Sequence, residues 1–387
     1  MRSPRETELA AGLVERVGHV LPGAEVSAGA DRHRLSLTRF ANSVIHQNVG
    51  EDSTVVRLQV HHDGRTASGS VTLASDRDLD VLVDRIVDSA RVAPLDPTWP
   101  GLAPTAPAGE TVPVDLATAE ASPADRATVV RDFVEAVGGL EAAGYVRTNH
   151  WSGAFANSAG QSVAGQATEC GLSGIARNDG ADGLARTAPL RIGDLDGAVL
   201  GARAAAKARA WEHPVGLAPG RYEVVLEPTA VADVLGNLAS AGFNGKAVNE
   251  RTSFVRLGET QFDPSVSMVD DPLTVGLGYD AEGTPCRRLV LVESGLTSGV
   301  THDRRSAAEA GAESTGHHSE RSHFFGPIAR HLGLLPSGPL DGFGIEVDGP
   351  AADSSVAELV AGVERGVLVS DFWYTRILDP RSLAITG

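Results

Sequence analysis

The sequence predicts an α+β protein: an N-terminal mixed α/β domain with a largely antiparallel sheet, a middle α+β domain and a β-rich C-terminal domain. Three observations predict it. The first 95 residues read helix, hairpin, helix; a proline-rich stretch then interrupts the periodic pattern; and strand-like runs dominate after residue 218. The expected bounds are 1–95, a linker over 96–114, a middle domain over 115–217 and a C-terminal domain over 218–387.

Residues 3–21 pattern as a capped helix. Ser3 and Glu6 have capping-box spacing, Pro4 suits the first turn, and Leu9, Leu13 and Val17 share one face. In "TVVRLQVHHDGRTASGSVTL" the apolar Val56, Leu58 and Val60 alternate with Arg57, Gln59 and His61, and Asp63-Gly64 signals a hairpin turn. Leu79, Leu82, Val83, Ile86 and Ala90 mark a second amphipathic helix. Residues 94–113 hold six prolines and read as an extended linker or surface strap. Ser122 and Pro123 open another helix, with Val129, Val130, Phe133, Val134 and Val137 inward. Short strand-like pieces broken by Gly, Ser and Asn turns are expected over 144–176, and an Ala-rich helix over 194–211. Near the C-terminus "RRLVLVESGLTSGVTH" reads as a hairpin about 293–295, and "VERGVLVSDFWYTRILDP" as a strand pair or bent strand.

Composition narrows the function. With 42% hydrophobic and 21% charged residues the chain is globular, and a net charge of −17 argues against a nucleic-acid partner. No run of about eighteen apolar residues offers a membrane span. The N-terminus mixes charge through its apolar positions and has no signal-peptide core. Cys170 and Cys286 lack metal spacing and read as reduced, structural thiols of a cytoplasmic protein.

Several motifs need weighing. Gly276-Leu277-Gly278-Tyr279-Asp280-Ala281 has G-x-G-x-x-A spacing, but a proline-containing turn follows where a dinucleotide site needs a helix. His302, His317, His318 and His323, with Glu320 among them, offer zinc-type ligands without a paired-ligand helix. They are expected to be solvated loop histidines. Asp270, Asp271, Asp280 and Glu282 sit beside Pro or Gly and are read as turn residues. Arg39, Asn42 and His46 lie near a strand, where a substrate contact and a polar sheet face both remain open.

The helix expected within "VVLEPTAVADVLGNLASAGFNG", residues 224–245, carries the most information. Val231, Val234, Leu235 and Leu238 form its core stripe, and Pro228 suits its first turn. The positions opposite, where a catalytic helix would hold ligands and a base, are Gly236, Asn237 and Ala241.

Taken together, "TRFANSVIHQNV", "SFVRLGETQF", "VSMVDDP" and "GLGYDAEGTPCRRLVLVESGLTSGVTHDRRSAAEAGAESTG" resemble the TldD/PmbA family over nearly the whole chain. The resemblance implies a pairing of two subunit types. A TldD-type zinc peptidase carries H-E-x-x-x-H after a "VVL-x-P" strand, and a TldE-type subunit has no metal site. Laid on this chain, that motif falls on Gly236, Asn237 and Ala241, all replaced. Family members continue past "DPRSLAITG" with further strands, and the late cysteine of the TldD type lies in that extension. Residues five apart lie about 140° apart on an ideal α-helix, so a ligand pair there needs local distortion. Gly236 and Ala241 offer nothing to offset that strain, and the helix is expected to keep only a packing role.

The expected function is therefore a metal-free, non-catalytic TldE/PmbA-like subunit binding unfolded peptides for a zinc-dependent partner. No catalytic, cofactor-binding or metal residue is assigned to this chain; zinc is expected in a TldD-like subunit of a cytoplasmic heterodimer. Two other readings stand beside it. One is a hydrolase active alone through His302, His317, His318 and His323; the other is a homodimeric peptide-binding module outside any protease.

Overall fold

A computed structural model describes residues 4–211, 214–335, 338–340, 345–347 and 355–386. Helix α1 (Pro4–Val20) buries Leu13 and Val17; the expected cap residue Ser3 lies outside the described residues. Strands β1 (Glu25–Ala41) and β2 (Val44–His62) form a long hairpin. Its two-residue turn is Asn42-Ser43, both left-handed at φ 50° and 61°. The expected Asp63-Gly64 turn, at φ 48° and 71°, leads into β3 (Arg65–Thr72), and α2 (Arg77–Val92) follows with the predicted face inward. After residues 93–115 come the single-turn α3 (Leu116–Ala119) and α4 (Pro123–Ala136). The latter is capped reciprocally by Ser122 and Asp125. Strands β4 (Glu141–Asn157), β5 (Ser162–Asn178) and β6 (Ala181–Thr187) precede α5 (Gly197–Ala210).

One curled sheet unites these strands in the order β3-β2-β1-β4-β5-β6, with every pairing antiparallel. Strands from both sides of the proline-rich segment contribute, because β1 pairs β4 from Ser27↔Asn157 to Phe40↔Gly144. Residues 144–176 are thus parts of two 17-residue strands, not short pieces. One expected turn is present, at residues 157–160 between β4 and β5, with Gly160 at φ 91°; the glycines inside the strands instead admit neighbouring atoms. A β-carbon at Gly174 would lie 2.5 Å from the Phe133 ring, and one at Gly165 would lie 2.1 Å from Leu277 O.

Side chains alternate across a strand, so strands this long must cover two faces. On one face Val26, Ala28, Ala30, Val56, Leu58 and Val60 form a core with α1 and α2. Farther along the same face Phe40, Val146, Cys170 and Leu172 pack with Val130 and Phe133 of α4 and Ala204 of α5. The opposite face carries Gly29, Asp31, Arg57, Gln59, Trp151, Gly153 and Gly165, and meets the C-terminal region.

That region opens with β7 (Glu223–Leu226), α6 (Pro228–Asn237) and α7 (Gly245–Asn249). Its strands are short: β8 (Met268–Asp270), β9 (Leu289–Glu293) and β10 (Leu296–Thr297) join β11 (Leu332–Leu334) in the order β10-β9-β8-β11. The expected β9–β10 turn falls at Ser294-Gly295. Helices α8 (Arg304–Ala310) and α9 (Ser322–Phe325) lie between β10 and β11. The remaining elements are β12 (Gly338–Leu340), β13 (Ile345–Val347), α10 (Val356–Ala361), β14 (Gly366–Val369), β15 (Arg376–Asp379) and β16 (Ala384–Thr386). Strand β14 pairs in parallel with β7, whereas β15 pairs with β16. The predicted strand pair in 363–380 is therefore two strands of separate sheets.

The proline-rich segment is a strap, as its composition suggests. Gly109 N–H donates to Gly278 O at 2.8 Å, and Arg305 holds Asp96 through two bonds of 2.9 and 2.8 Å. The Arg305 guanidinium keeps the Asp96 carboxyl well below the usual carboxylate range. Because Phe133 is fully buried, Gly174→Ala should force its ring aside and cost about 1–3 kcal/mol. A lower urea midpoint with an unchanged m-value is the expected readout.

Candidate functional site

Strand β7 runs into α6 at Pro228, whose missing N–H costs nothing in the first turn. Ala230 and Leu235 are buried, and Val231 and Val234 pack on the same core. Beyond Asn237 the backbone widens into one π-helical turn, Leu238–Gly242, in which Phe243 N–H donates to Leu238 O at 3.1 Å. This distortion was not expected, since the side chains at 236 and 241 bind nothing that would offset it. Apolar packing offsets it instead. Leu238, Ala239 and Phe243 are buried, and the Phe243 ring stands 6.3 Å from both Phe254 and Phe262. A β-carbon at Gly242 would lie 2.6 Å from the Phe254 ring.

A wider turn carries position 241 round toward the side that holds position 236. The backbone that a ligand pair requires is thus present, but its chemistry is not. Zinc needs lone pairs from three protein groups; Gly236 and Ala241 supply none, and the Asn237 amide is neutral and donates to Asp233 O at 2.8 Å. These residues do not fit zinc. Gly236 faces open space, with nothing within 4 Å of where a β-carbon would sit. One turn earlier, Ala232 and Asp233 border a cleft of about 360 Å³ that reaches Arg186 of β6.

The four histidines do not converge. His317 Nε2 lies 2.6 Å from Asp270 Oδ2, both side chains fully buried, and Thr315 Oγ1 sits 2.8 Å from Nδ1. Asp270 also accepts from His331 N–H at 2.6 Å, so it is a buried strand residue and not a turn former. His302 is buried beside Ser306, with Nδ1 3.2 Å from its hydroxyl. Only His323 is exposed in the manner expected, leaning on Phe324. The segment is a loop as expected except at His323, which lies in α9, and His302 and His317 turn inward because each finds a polar partner there. Among the described residues, no three His, Cys, Asp or Glu side chains form a group that would hold a metal ion. Turn chemistry does hold for Asp271, which accepts from Leu273 N–H and Thr274 Oγ1. It holds as well for Asp280, which accepts from the N–H groups of Glu282 and Thr284 at 2.9 Å.

His318 occupies a different setting. It borders three clefts, of about 450, 400 and 130 Å³, between the polar sheet face and the C-terminal region. Its Nδ1 lies 3.6 Å from Glu282 Oε1 and 3.5 Å from Asp303 Oδ2. Burial opposes a charged imidazole there, yet Glu282, Asp303 and Asp280 outweigh it and raise its pKa. Burial, reinforced by Asp280 and Asp303, pushes the Glu282 carboxyl up to about 7 against the pull of His318. Such a pair can hold or exchange a proton near neutrality. Across the cleft Arg57 pairs with Asp31 and, at 2.8 Å, with Glu320.

Sequence reasoning missed Asp31, Arg57, Trp151 and Tyr279 as cleft residues. For Asp31, Arg57 and Trp151 the signal was a charged or aromatic residue on the polar side of a strand, which solvated sheet faces also show; Tyr279 lies outside the strands and had no such signal. Arg39, Asn42 and His46 sit at the far end of the β1–β2 hairpin, exposed and about 30 Å along the strand from Gly29. The Gly276–Ala281 segment is irregular, and the loop packs Leu277 onto Gly165 without a following helix.

A carboxyl whose folded pKa exceeds its unfolded one makes the native state bind that proton more tightly, so stability is lost as pH rises between the two values. For Glu282 that window runs from 4.5 to about 7. Glu282→Gln should therefore gain stability relative to the parent across this window, by roughly 1–3 kcal/mol at its upper end. Paired denaturant titrations at each pH check the difference, which cancels the contributions of other groups.

Comparison with known proteins agrees with this architecture. Residues 219–387 match the PmbA/TldA metallopeptidase C-terminal domain. A metalloprotease of Methanothermobacter thermautotrophicus is 32% identical over 106 residues, which are 25% of this chain and 22% of that protein. The matched stretch thus spans under a quarter of that relative's length. TldE from Thermococcus kodakarensis has the same fold, with a TM-score of 0.78 at 19% identity over 93% of this chain and 82% of that one. A Thermotoga maritima protein described as a candidate modulator of a DNA gyrase gives a TM-score of 0.78 at 18% identity, over 95% and 82%. Residues 219–387 of this chain are thus similar to the PmbA/TldA metallopeptidase C-terminal domain, and the chain shares the fold of the solved TldE structure.

Proposed function

We propose that the chain is a metal-free, non-catalytic subunit of a TldD/TldE-type metallopeptidase, binding unfolded peptide while a TldD-like partner supplies zinc and the base. The single observation behind this reading is the motif helix. Its backbone has the π-helical turn that would bring positions 236 and 241 together, but the side chains there have no lone pairs. A hydrolytic metal site also needs a base to take the proton of the bound water, and Asn237 cannot act as one. Packing alone accounts for the shape of this helix, so catalysis is assigned to another polypeptide.

Peptide binding has its own support. The sheet ends in two edge strands, β3 and β6; apart from groups already met, such as Arg65 by Leu95 and Leu184 O by Lys207, their outer backbone can accept an extended chain in a sequence-tolerant way. The clefts around His318 lie on the polar face of the same sheet. Both cysteines are free and buried, which suits a reducing compartment, and the cytoplasm is the location proposed.

The purified chain, chelated and then reconstituted, should retain no stoichiometric zinc and cleave no peptide. Cleavage should appear when a chain bearing H-E-x-x-x-H is added. Zinc retention with cleavage by this chain alone would overturn the reading. Gly236→His combined with Ala241→His should give zinc binding that the parent lacks, because the open space at 236 and the widened turn suit two imidazoles, but binding weaker than that of a three-ligand site. Zinc titration by calorimetry on both proteins reads the difference.

A further inference from the structure

The cleft of about 400 Å³ beside His318 contains two polar groups that its own walls leave unsatisfied. Tyr279 is 5% exposed, and its hydroxyl has no hydrogen-bond partner among the described residues. Asp31 Oδ1 is likewise buried and unpartnered, while Oδ2 of the same carboxylate pairs with Arg57. Both oxygens crowd one spot above Gly153: a β-carbon there would lie 2.1 Å from Asp31 Oδ1 and 3.0 Å from the Tyr279 hydroxyl. Only glycine at 153 lets the strand, the carboxylate and the phenol approach so closely. Buried polar groups are nearly always paired, so two neighbouring exceptions in one cleft call for a partner from outside.

The chemistry of the pair defines that partner. A carboxylate oxygen only accepts, and a phenol accepts as readily as it donates, so the missing group is a donor carrying several N–H bonds. The cationic side chains of the cleft do not ask for an anion. Arg57 is held by Asp31 and Glu320, and Arg330 donates to His318 O at 2.8 Å. Beside the polar end stand Trp151, Val275 and Leu277, an apolar wall suited to one side chain. The net charge of −17 favours the approach of a cation.

We propose that this cleft binds a primary ammonium group, the N-terminus of a peptide, on Asp31 Oδ1 and the Tyr279 hydroxyl, with the first side chain against Trp151 and Leu277. The proposal rests on the peptide-binding reading above and deepens it by fixing which end of the chain enters. A free amine without a peptide offers the same chemistry, so the test separates the two.

Binding of L-leucinamide, N-acetyl-L-leucinamide, a leucine-led hexapeptide and its N-acetylated form is measured by calorimetry on the full chain. Leucinamide and the free hexapeptide should bind about tenfold or more tightly than their acetylated forms, the worth of a charge-assisted hydrogen bond. Tyr279→Phe should erase most of that preference without lowering the melting temperature of the ligand-free protein, since it removes only an unpaired hydroxyl. Asp31→Asn should erase it as well. Equal binding of free and acetylated forms, or an unchanged preference in Tyr279→Phe, overturns the site while leaving peptide binding intact. Leucinamide binding with no hexapeptide binding keeps the amine site and removes the peptide reading. Binding of none of the four means that water alone fills the spot, and the proposal falls.

Discussion

Strands of 17–19 residues with alternating side chains cannot leave a sheet one-sided, and this constraint organises the molecule. The apolar face takes α1 and α2 at one end and α4 and α5 at the other. The second face is polar and glycine-rich, and the C-terminal region packs on it at a few points, such as Leu277 on Gly165 and Tyr279 against Phe155. Charged side chains resist full burial, so contact there is incomplete and clefts persist between the layers. The three clefts bordering His318 lie along that polar seam, where Arg57 and the proline-rich strap tie the two layers together.

The motif helix separates two roles that a catalytic helix would combine. A π-helical turn is costly unless something offsets it. Here Phe243, enclosed by Phe254 and Phe262, and Gly242, pressed against Phe254, supply the offset from the core side. Shape in this segment is set by buried residues, whereas any metal chemistry would be set by positions 236 and 241, of which Gly236 is exposed and Ala241 half-buried. Gly236 can change without disturbing the packing, because nothing lies within 4 Å of where its β-carbon would sit.

Position also separates two His–carboxylate pairs built from the same residue types. Asp270 and His317 are wholly enclosed, and each has a second polar contact; they join β8 to the loop after Thr315. Removing either partner would strand a buried polar group, so their role is architectural. His318 and Glu282 share the border of the smallest cleft, and their separation of 3.6 Å leaves Nδ1 without a hydrogen-bond partner. Burial without saturation is what moves Glu282 toward neutrality.

Sequence by itself determined what depends on near neighbours. Helix faces, the caps at Ser122 and Pro123, the turns at Asp63-Gly64 and Ser294-Gly295, and the absence of histidine at 236 and 241 and of a carboxylate at 237 follow from local periodicity and chemistry. Tertiary structure alone decided the rest. Gly144, Gly153, Gly165 and Gly174 look like turn formers in one dimension, and only the packed partners show that they make room for Phe40, Asp31, Leu277 and Phe133. Whether a histidine in a Gly/Ser-rich loop is solvated depends on residues far along the chain, as Asp270 does for His317. The cleft pairing Asp31 with Tyr279 joins positions 248 residues apart, a proximity that no local pattern encodes and that the sheet register and the approach at Gly153 create.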